Sequence, residues 1–382
     1  MPQQRTAAPF RADHVGSLKR PISLQDAREQ FLGTANIYER PGAHDNAQLS
    51  RAEDEAISAV IKLQEDIGLQ SVTDGEFRRQ SWWTDVVFGF EGPTIGSPES
   101  HVAFRGPGGK TQSLPQLRIN KRFLWKNSVS ESAFRFLRER TRRTAKLTIP
   151  APLNIYYFAG GRNGINRNIY PELELFWDDV VEAYRRELRA LAGACRYLQL
   201  DEVAIAFMCD PKHQESVRRW GDDPSKLLVL YADVINRILA DRPPEMRVTM
   251  HLCRGNRRGE WAAEGGYDPV SEILFNQYGI DGFFLEYDSP RSGSFQPLRY
   301  VPPGKTVVLG LVSTKTPALE DPDQLMRRID EASRFIPIEQ LCLSPQCGFS
   351  SDFKGNPVTI DDEKKKLSLV VDVANRVWGT TR

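Results

Sequence analysis

Short apolar runs of strand length recur along this chain, each followed by a polar cluster and then by a longer stretch with helical spacing. The alternation predicts parallel strands, because parallel neighbours need a long crossover connection that is usually a helix. Eight such strands close an α/β fold of the (β/α)8 TIM type. The predicted strands are residues 12–18, 70–73, 146–149, 197–200, 248–253, 282–287, 306–312 and 340–343.

Amphipathic helices are predicted between these runs, most clearly at 49–67, 175–195, 224–239 and 322–335, with a closing helix at 361–374. A doubly wound sheet is the alternative, but it would need a phosphate-binding loop, and the sequence has neither GxGxxG nor GxxxxGK[ST]. A Gly/Pro-rich stretch of about 88–125 is predicted to form a hairpin-like insertion after the second strand. It would serve either as a lid over the barrel mouth or as decoration.

Length and composition fit a single barrel domain over residues 1–382, since such barrels reach this size with insertions. Lys and Arg total 51 against 50 acidic residues, so no overall field favours nucleic acid or a membrane surface. Five cysteines without secretory spacing suit a reducing compartment. No signal core and no apolar run of about 20 residues is visible. We therefore expect a soluble, cytoplasmic protein whose partners are small molecules. A homo-oligomer is possible, and the sequence leaves the oligomeric state open.

Four residues with metal-ligating side chains stand where predicted strands end. His251 and Cys253 are two residues apart on one strand and so face the same side of it. Glu286 ends a very apolar run, where an unpaired carboxylate is costly to bury. Cys347, followed by glycine, lies just past the last strand. Zinc favours such a mixed nitrogen, sulfur and oxygen shell, and an exchangeable position in it can hold an incoming thiol.

The same residues, and the acidic pair Asp201-Glu202, also allow purely structural interpretations without a metal or a substrate. Glu286 would then form an ion pair with Arg254 or Arg291, and His251 would be a buried histidine beside an inert cysteine. Asp201-Glu202, at the end of the fourth run, would either bind a substrate ammonium group and serve acid–base chemistry or cap a helix.

Two further segments are candidates for substrate contacts. Glu76, in Thr-Asp-Gly-Glu, either faces the barrel mouth or pairs with Arg78 or Arg79. Ser17 follows His-Val-Gly and either offers a hydroxyl to a carboxylate or belongs to a plain turn. Trp82-Trp83 either walls a pocket for a flat ligand or packs under the insertion.

Seven segments, in order along nearly the whole chain, resemble the cobalamin-independent methionine synthase family. The likeness is to its catalytic C-terminal barrel and to its short, single-domain bacterial members. The segments are HVGSLKRP (14–21), VTDGEFRR (72–79), LQLDE (198–202), HLCRGN (251–256), FFLEYDSPRSG (283–293), VVLGLVSTKTPALE (307–320) and LSPQCGF (343–349).

The resemblance implies a zinc-dependent methyltransferase that acts on homocysteine to give methionine. It implies zinc as cofactor, held by His251, Cys253, Glu286 and Cys347. It further implies that Glu76 and Asp201 bind the amino group of a homocysteine-like acceptor and Ser17 its carboxylate. Zinc would lower the pKa of the acceptor thiol, which would take the methyl group as a thiolate.

Two positions depart from the family pattern. After Asp201-Glu202, folate-using synthases continue with an Arg-Glu pair, whereas this chain has Val-Ala-Ile-Ala-Phe, ending at Phe207. Lys315 stands where those synthases carry a histidine proposed as the acid in methyl transfer, and would act as that acid or bind an anionic substrate. The methyl donor, methyltetrahydrofolate or another, is therefore left open.

Two other functions remain as alternatives. One keeps the zinc site but changes the reaction partners, as in enzymes resembling epoxyalkane:coenzyme M transferases. The other is a non-catalytic zinc-binding paralogue.

Overall fold

The computed structural model describes residues 5–33, 44–96, 102–105, 112–113 and 116–379. Its strands are β1 Ser71–Val72, β2 Glu91–Ile95, β3 Ala103–Phe104, β4 Gln112–Ser113, β5 Leu117–Leu124, β6 Thr144–Pro150, β7 Tyr197–Glu202, β8 Arg247–Leu252, β9 Gly282–Glu286, β10 Thr306–Val312 and β11 Leu341–Pro345. Its helices are α1 Ile22–Leu32, α2 Ala47–Ile67, α3 Thr84–Val87, α4 Glu131–Arg138, α5 Leu153–Phe158, α6 Leu173–Leu191, α7 Ala204–Phe207, α8 Pro211–Arg219, α9 Pro224–Leu239, α10 Ser271–Gln277, α11 Pro322–Ser333 and α12 Ile360–Trp378.

A curled, wholly parallel sheet organises the fold. Its strand order is β1-β6-β7-β8-β9-β10-β11, and every neighbouring pair is parallel. All residues of β7, β9 and β10 are buried, which explains why β9 and β10 are almost continuous apolar runs rather than alternating ones. The predicted α/β fold with a parallel sheet is thus confirmed.

The run predicted as the first strand, residues 12–18, forms only one parallel bridge, between Ala12 and Leu343. Side chains of β6 and β7 donate hydrogen bonds to the backbone carbonyls of this run, which a regular strand would pair with a neighbouring strand. Lys146 donates to the carbonyl of His14, and Gln199 donates to the carbonyl of Val15. The prediction of a regular first strand is therefore wrong, and closure into an eight-stranded barrel stays a prediction.

The predicted insertion contains two antiparallel strand pairs, β2 with β5 and β3 with β4. Residues 97–101, 106–111 and 114–115 of that insertion lie outside the described residues. A single hairpin over the whole of 88–125 therefore stays a prediction.

Local sequence signals explain several helix ends. Asp321 caps α11 by accepting a hydrogen bond from the backbone of Asp323. The predicted end of α6 at 195 is four residues too late, since the helix stops at Leu191 and Gly193 adopts a positive φ of 78°. One apolar core contains residues from Ala12 to Trp378. Within the described residues, no helix is both long and apolar enough to span a bilayer.

Candidate metal centre and substrate cavity

Three of the four predicted metal ligands lie together. His251 belongs to β8, Cys253 follows it directly, and Cys347 follows β11. One ligand atom from each of the three residues lies within 4.8 Å of the others, and all three side chains are buried. The two sulfur atoms are 3.5 Å apart.

Glu286, the fourth predicted ligand, lies outside this group of three. Its Oε1 accepts a hydrogen bond of 2.7 Å from the backbone of Arg254. Its Oε2 is buried, has no hydrogen-bond partner among the described residues, and lies 3.9 Å from Nη2 of Arg291. One carboxylate oxygen is thus engaged with the protein and the other is not, so metal ligation by Glu286 stays a prediction.

The donor set fits zinc chemically. In the described part of the chain neither ring nitrogen of His251 has a hydrogen-bond partner, although the residue is 2 % exposed. A hydrogen bond from Cys253 lowers the pKa of the Cys347 thiol well below its ordinary value, while that bond raises the pKa of Cys253. Two thiols in hydrogen-bond contact beside a buried imidazole provide two soft ligands and a borderline one, which is the combination that zinc prefers.

The same group of three lines a cavity that also contains the predicted acceptor-binding residues. Strand register places Asp201 there, because Asp201 on β7 pairs with His251 on β8. The residues of the candidate site that line the cavity are Ser17, Glu76, Asp201, His251, Cys253 and Cys347.

Glu76 is held in an unusual backbone conformation with a φ of 62°. Thr148 donates a hydrogen bond of 2.6 Å to its Oε1, and Arg79 lies 3.5 Å from the same oxygen. Its Oε2 has no hydrogen-bond partner in the described residues. Burial raises the pKa of this carboxyl despite the nearby Arg79. The predicted pairing with Arg79 and the orientation towards the cavity therefore both occur.

Asp201 is the second carboxylate of the cavity. Gln199, two residues earlier on the same strand, donates a hydrogen bond of 2.7 Å to its Oδ1. Burial, followed by repulsion from Glu76, raises the pKa of Asp201 to about 7. Two buried carboxylates that repel each other provide a favourable site for a cation such as an ammonium group.

The neighbouring acid, Glu202, has a different role. Its Oε1 accepts a hydrogen bond of 3.0 Å from the backbone of Ile205, in the first turn of α7. The two acids thus differ: Asp201 lines the cavity, and Glu202 accepts a hydrogen bond from the first turn of a helix whose N-cap residue is Val203.

Ser17 is fixed by the loop that follows Cys347. The backbone of Phe349 donates to the Ser17 carbonyl at 2.9 Å. A Cβ atom at Gly348 would lie 2.0 Å from Ser17 Oγ, so only glycine permits this approach. Ser17 therefore sits beside Cys347 because residue 348 has no side chain.

Lys315 and Phe207, the two departures from the family pattern, occupy different places. Lys315 donates to the carbonyl of Gly255 at 3.2 Å and to Asn256 Oδ1 at 3.3 Å. Among the described residues, Lys315 is not one of those that line the cavity. Phe207 does line the cavity, as do Trp82 and Trp83.

Sequence reasoning missed the side chains that orient the carboxylates. Gln199 has a visible signal, because residues 199 and 201 of one strand face the same side. Thr148 has none, since its contact with Glu76 joins segments far apart in the chain.

Comparison with known proteins places the chain in a family. Residues 172–376 match the family model described as the catalytic domain of the cobalamin-independent synthase. The uncharacterized protein YxjH of Bacillus subtilis is 40% identical over 379 residues, which are 98% of this chain and 97% of YxjH.

A solved structure agrees with this assignment. The putative vitamin-B12 independent methionine synthase from Listeria monocytogenes has a TM-score of 0.74 and 32% identity, and the match covers 98% of this chain and 100% of the Listeria chain.

The 5-methyltetrahydropteroyltriglutamate–homocysteine methyltransferase of Bacillus velezensis is 21% identical over 339 residues, which are 88% of this chain but 39% of that longer protein. The chain therefore belongs to the family of cobalamin-independent methionine synthase catalytic domains, in its short, single-domain bacterial form.

Proposed function

We propose that this protein is a zinc-dependent methyltransferase that methylates the thiol of homocysteine, or of a close analogue, to give methionine. One observation carries the proposal: a histidine and two cysteines suited to zinc share a single cavity with two mutually repelling carboxylates. A thiol that also carries an ammonium group satisfies both halves of that cavity. Family membership supports methyl transfer to homocysteine.

Each residue of the cavity has a defined task in this proposal. Glu76 and Asp201 bind the acceptor ammonium group, which relieves their mutual repulsion, and Ser17 binds its carboxylate. These contacts direct the acceptor sulfur towards His251 and Cys347. Bound to His251, Cys253, Cys347 and, as the fourth ligand, Glu286, zinc would supply a Lewis acid that keeps the acceptor sulfur deprotonated.

The methyl donor is the open part of the reaction. Methyltetrahydrofolate needs a proton donor for its leaving amine, and Lys315 is the residue proposed for that task. Its ammonium group donates to Gly255 and Asn256, which engages two of its three N–H bonds.

Metal analysis tests the zinc site directly. Purified wild-type protein should contain about one zinc per chain, and Cys347→Ala should lose it. Cys195→Ala is the matched control, because Cys195 is also a buried free thiol but donates to the carbonyl of Tyr197 instead. Equal zinc loss from both variants, or a folded wild-type protein without zinc, would contradict the proposal.

The acceptor assignment is tested with two thiols that differ by one amino group. Asp201→Asn should raise KM for homocysteine about tenfold or more, because a charged hydrogen bond is worth roughly 1.5–3 kcal/mol. The same variant should leave KM for 4-mercaptobutanoate, which lacks the ammonium group, nearly unchanged. An equal effect on both thiols would exclude Asp201 as the ammonium ligand.

A further inference from the structure

We infer that the methyl donor is a methyl onium compound, a carboxylate-bearing sulfonium or quaternary ammonium, bound in the aromatic half of the cavity. This inference rests on the proposed function, since it concerns the same transfer reaction. It is carried by the side chains of the cavity wall that the acceptor does not use. Aromatic faces bind quaternary cations through their ring quadrupoles.

Aromatic rings form the first part of this wall. Trp82, Trp83, Phe104, Phe158 and Phe207 all line the cavity. The rings of Trp83 and Phe158 are 4.9 Å apart at 41°, and those of Trp82 and Phe158 are 6.4 Å apart at 69°. Rings inclined at these angles form a corner rather than one flat surface. A compact cation can contact more than one ring of such a corner, whereas a flat fused ring would stack on only one of them.

A carboxylate lies on the same wall. The backbone of Trp82 donates to Ser351 at 2.9 Å, and that of Phe353 donates to Gln80 at 3.0 Å, so the two segments run side by side. This pairing sets Asp352 opposite Ser81, one residue before Trp82, and Asp352 also lines the cavity.

Asp352 has one oxygen available for a ligand. Its Oδ1 accepts the backbone hydrogen bonds of Lys354 and Gly355, both at 3.0 Å. Its Oδ2 is buried and has no hydrogen-bond partner among the described residues, and the half-exposed Arg258 lies 4.0 Å away. Lys19 and Arg20 also interact electrostatically with this carboxylate, and its oxygen without a hydrogen bond beside aromatic rings suits a further cation. Arg257, which also lines the cavity, suits a carboxylate on the same molecule.

The chemistry of an onium donor matches what this cavity contains. The acceptor thiolate forms an S–C bond to the methyl carbon, while the bond from that carbon to the positive sulfur or nitrogen breaks. The electron pair of the broken bond stays on the leaving atom, which becomes a neutral thioether or tertiary amine. No proton is needed, so the transfer proceeds with Lys315 engaged as it is and with phenylalanine at 207.

Binding of charged and neutral isosteres tests the inference without turnover. Zinc-loaded protein is titrated calorimetrically with glycine betaine against 3,3-dimethylbutanoate, and with dimethylsulfoniopropionate against 4-methylpentanoate. Within each pair the shape and the carboxylate are the same, and only the positive charge differs. We expect at least one onium compound to bind about tenfold or more tightly than its neutral partner, and the pair that shows this identifies ammonium or sulfonium. Equal affinities within both pairs would overturn the inference.

Substitutions in the aromatic half of the cavity test which side chains cause the preference for the positively charged ligand. Asp352→Asn keeps the Oδ1 acceptor of the turn. It should lower the affinity for the onium compound about fivefold and leave the affinity for its neutral isostere unchanged. Trp82→Leu should act likewise. Trp125→Leu, a half-buried tryptophan that donates to Glu187, is the control and should have no effect. An unchanged preference in Asp352→Asn, with melting temperature retained, would overturn the assignment even if Trp82→Leu failed to fold.

Turnover separates this inference from the proposed function. Methionine formation from homocysteine with an onium donor supports both. Formation with methyltetrahydrofolate or methylcobalamin, but with neither onium compound, would overturn the donor inference and leave the proposed function intact. No methionine from any donor, with the onium preference retained, would overturn the proposed function and the donor role together, leaving only an onium-binding site.

Discussion

Glu76 combines a backbone conformation that most residues avoid with a carboxylate that the cavity uses. At a φ of 62° its Cβ crowds its own backbone, at a cost of roughly 1–2 kcal/mol. Such strain is found where function requires a side chain in one direction. The structure holds it in place through the hydrogen bonds from Thr148 to its side chain and from Arg20 to its carbonyl.

Two substitutions of Glu76 separate strain from function. Glu76→Ala and Glu76→Gly both remove the carboxylate, so both should lose affinity for homocysteine to the same extent. The glycine variant should be more stable than the alanine variant by about 1 kcal/mol in chemical denaturation, because glycine adopts positive φ without cost. Equal stability of the two variants would mean that the backbone at 76 is unstrained.

Gly348 is required by crowding rather than by its dihedral angles. Gly348→Ala brings Cβ against Ser17 Oγ, and we expect a loss of about 1–3 kcal/mol in the free energy of unfolding together with weaker homocysteine binding. Gly304→Ala is the control for binding only: a Cβ there meets nothing within 4 Å, so homocysteine affinity should be unchanged, while its φ of 90° should cost stability through backbone strain. Adding Ser17→Ala to Gly348→Ala should restore part of the stability; no recovery would place the clash elsewhere.

Loops that follow three strands are joined by buried polar side chains. Gln346, after β11, accepts from the backbone of Thr314 at 2.6 Å and from its hydroxyl at 3.0 Å. Asn256, after β8, donates to the carbonyl of Gly348 at 2.8 Å. These contacts tie the loop that carries Cys347 to the loop that follows Cys253.

Thr314→Val tests this connection with little change of shape. Removing the hydroxyl leaves its buried partners partly unsatisfied, which should lower stability by about 1–3 kcal/mol. Zinc should also pass to a chelator faster, measured with a colorimetric metal indicator. Thr94→Val, an exposed threonine on β2, should change neither quantity. Normal zinc retention in Thr314→Val would show that the loops hold their ligands independently.

Segments distant in sequence meet where the buried Glu363 of α12 accepts a hydrogen bond of 2.7 Å from the backbone of Lys19. Burial raises the pKa of Glu363 to about 8, against 4.5 for the free side chain. Between these two pH values the folded protein holds a proton that the unfolded chain has lost. The contribution of this group to stability is therefore present at low pH and falls as pH rises towards 8.

Glu363→Gln removes that titration and keeps an acceptor for Lys19. At pH 9 the variant should exceed the wild type in free energy of unfolding by at least about 1 kcal/mol, and this advantage should shrink towards pH 4.5. Urea denaturation at a series of pH values measures it. Glu272→Gln, on the exposed side of α10, should follow the wild type throughout. A pH-independent difference would assign the effect to something other than ionisation.

Sequence periodicity determined the order of the seven parallel strands from residue 70 onward, the long helices between them, and the residues that stand at strand ends. These features depend on near neighbours, because burial of one or both faces dictates which residues are apolar. The same local rule predicts that residues 199 and 201 face one side of β7 and Glu202 the other.

Only the tertiary structure decided which strand-end residues meet. Cys253 and Cys347 are separated by 94 residues, and their 3.5 Å contact depends on the register of four neighbouring strands. Contacts between distant segments also explain two other findings. The Arg254 backbone occupies one oxygen of Glu286, and side chains of the sheet bind the backbone of residues 12–18, which form no regular strand. No local pattern contains such contacts, since a side chain's partners across the sheet are fixed by how the strands align and not by the residues beside it.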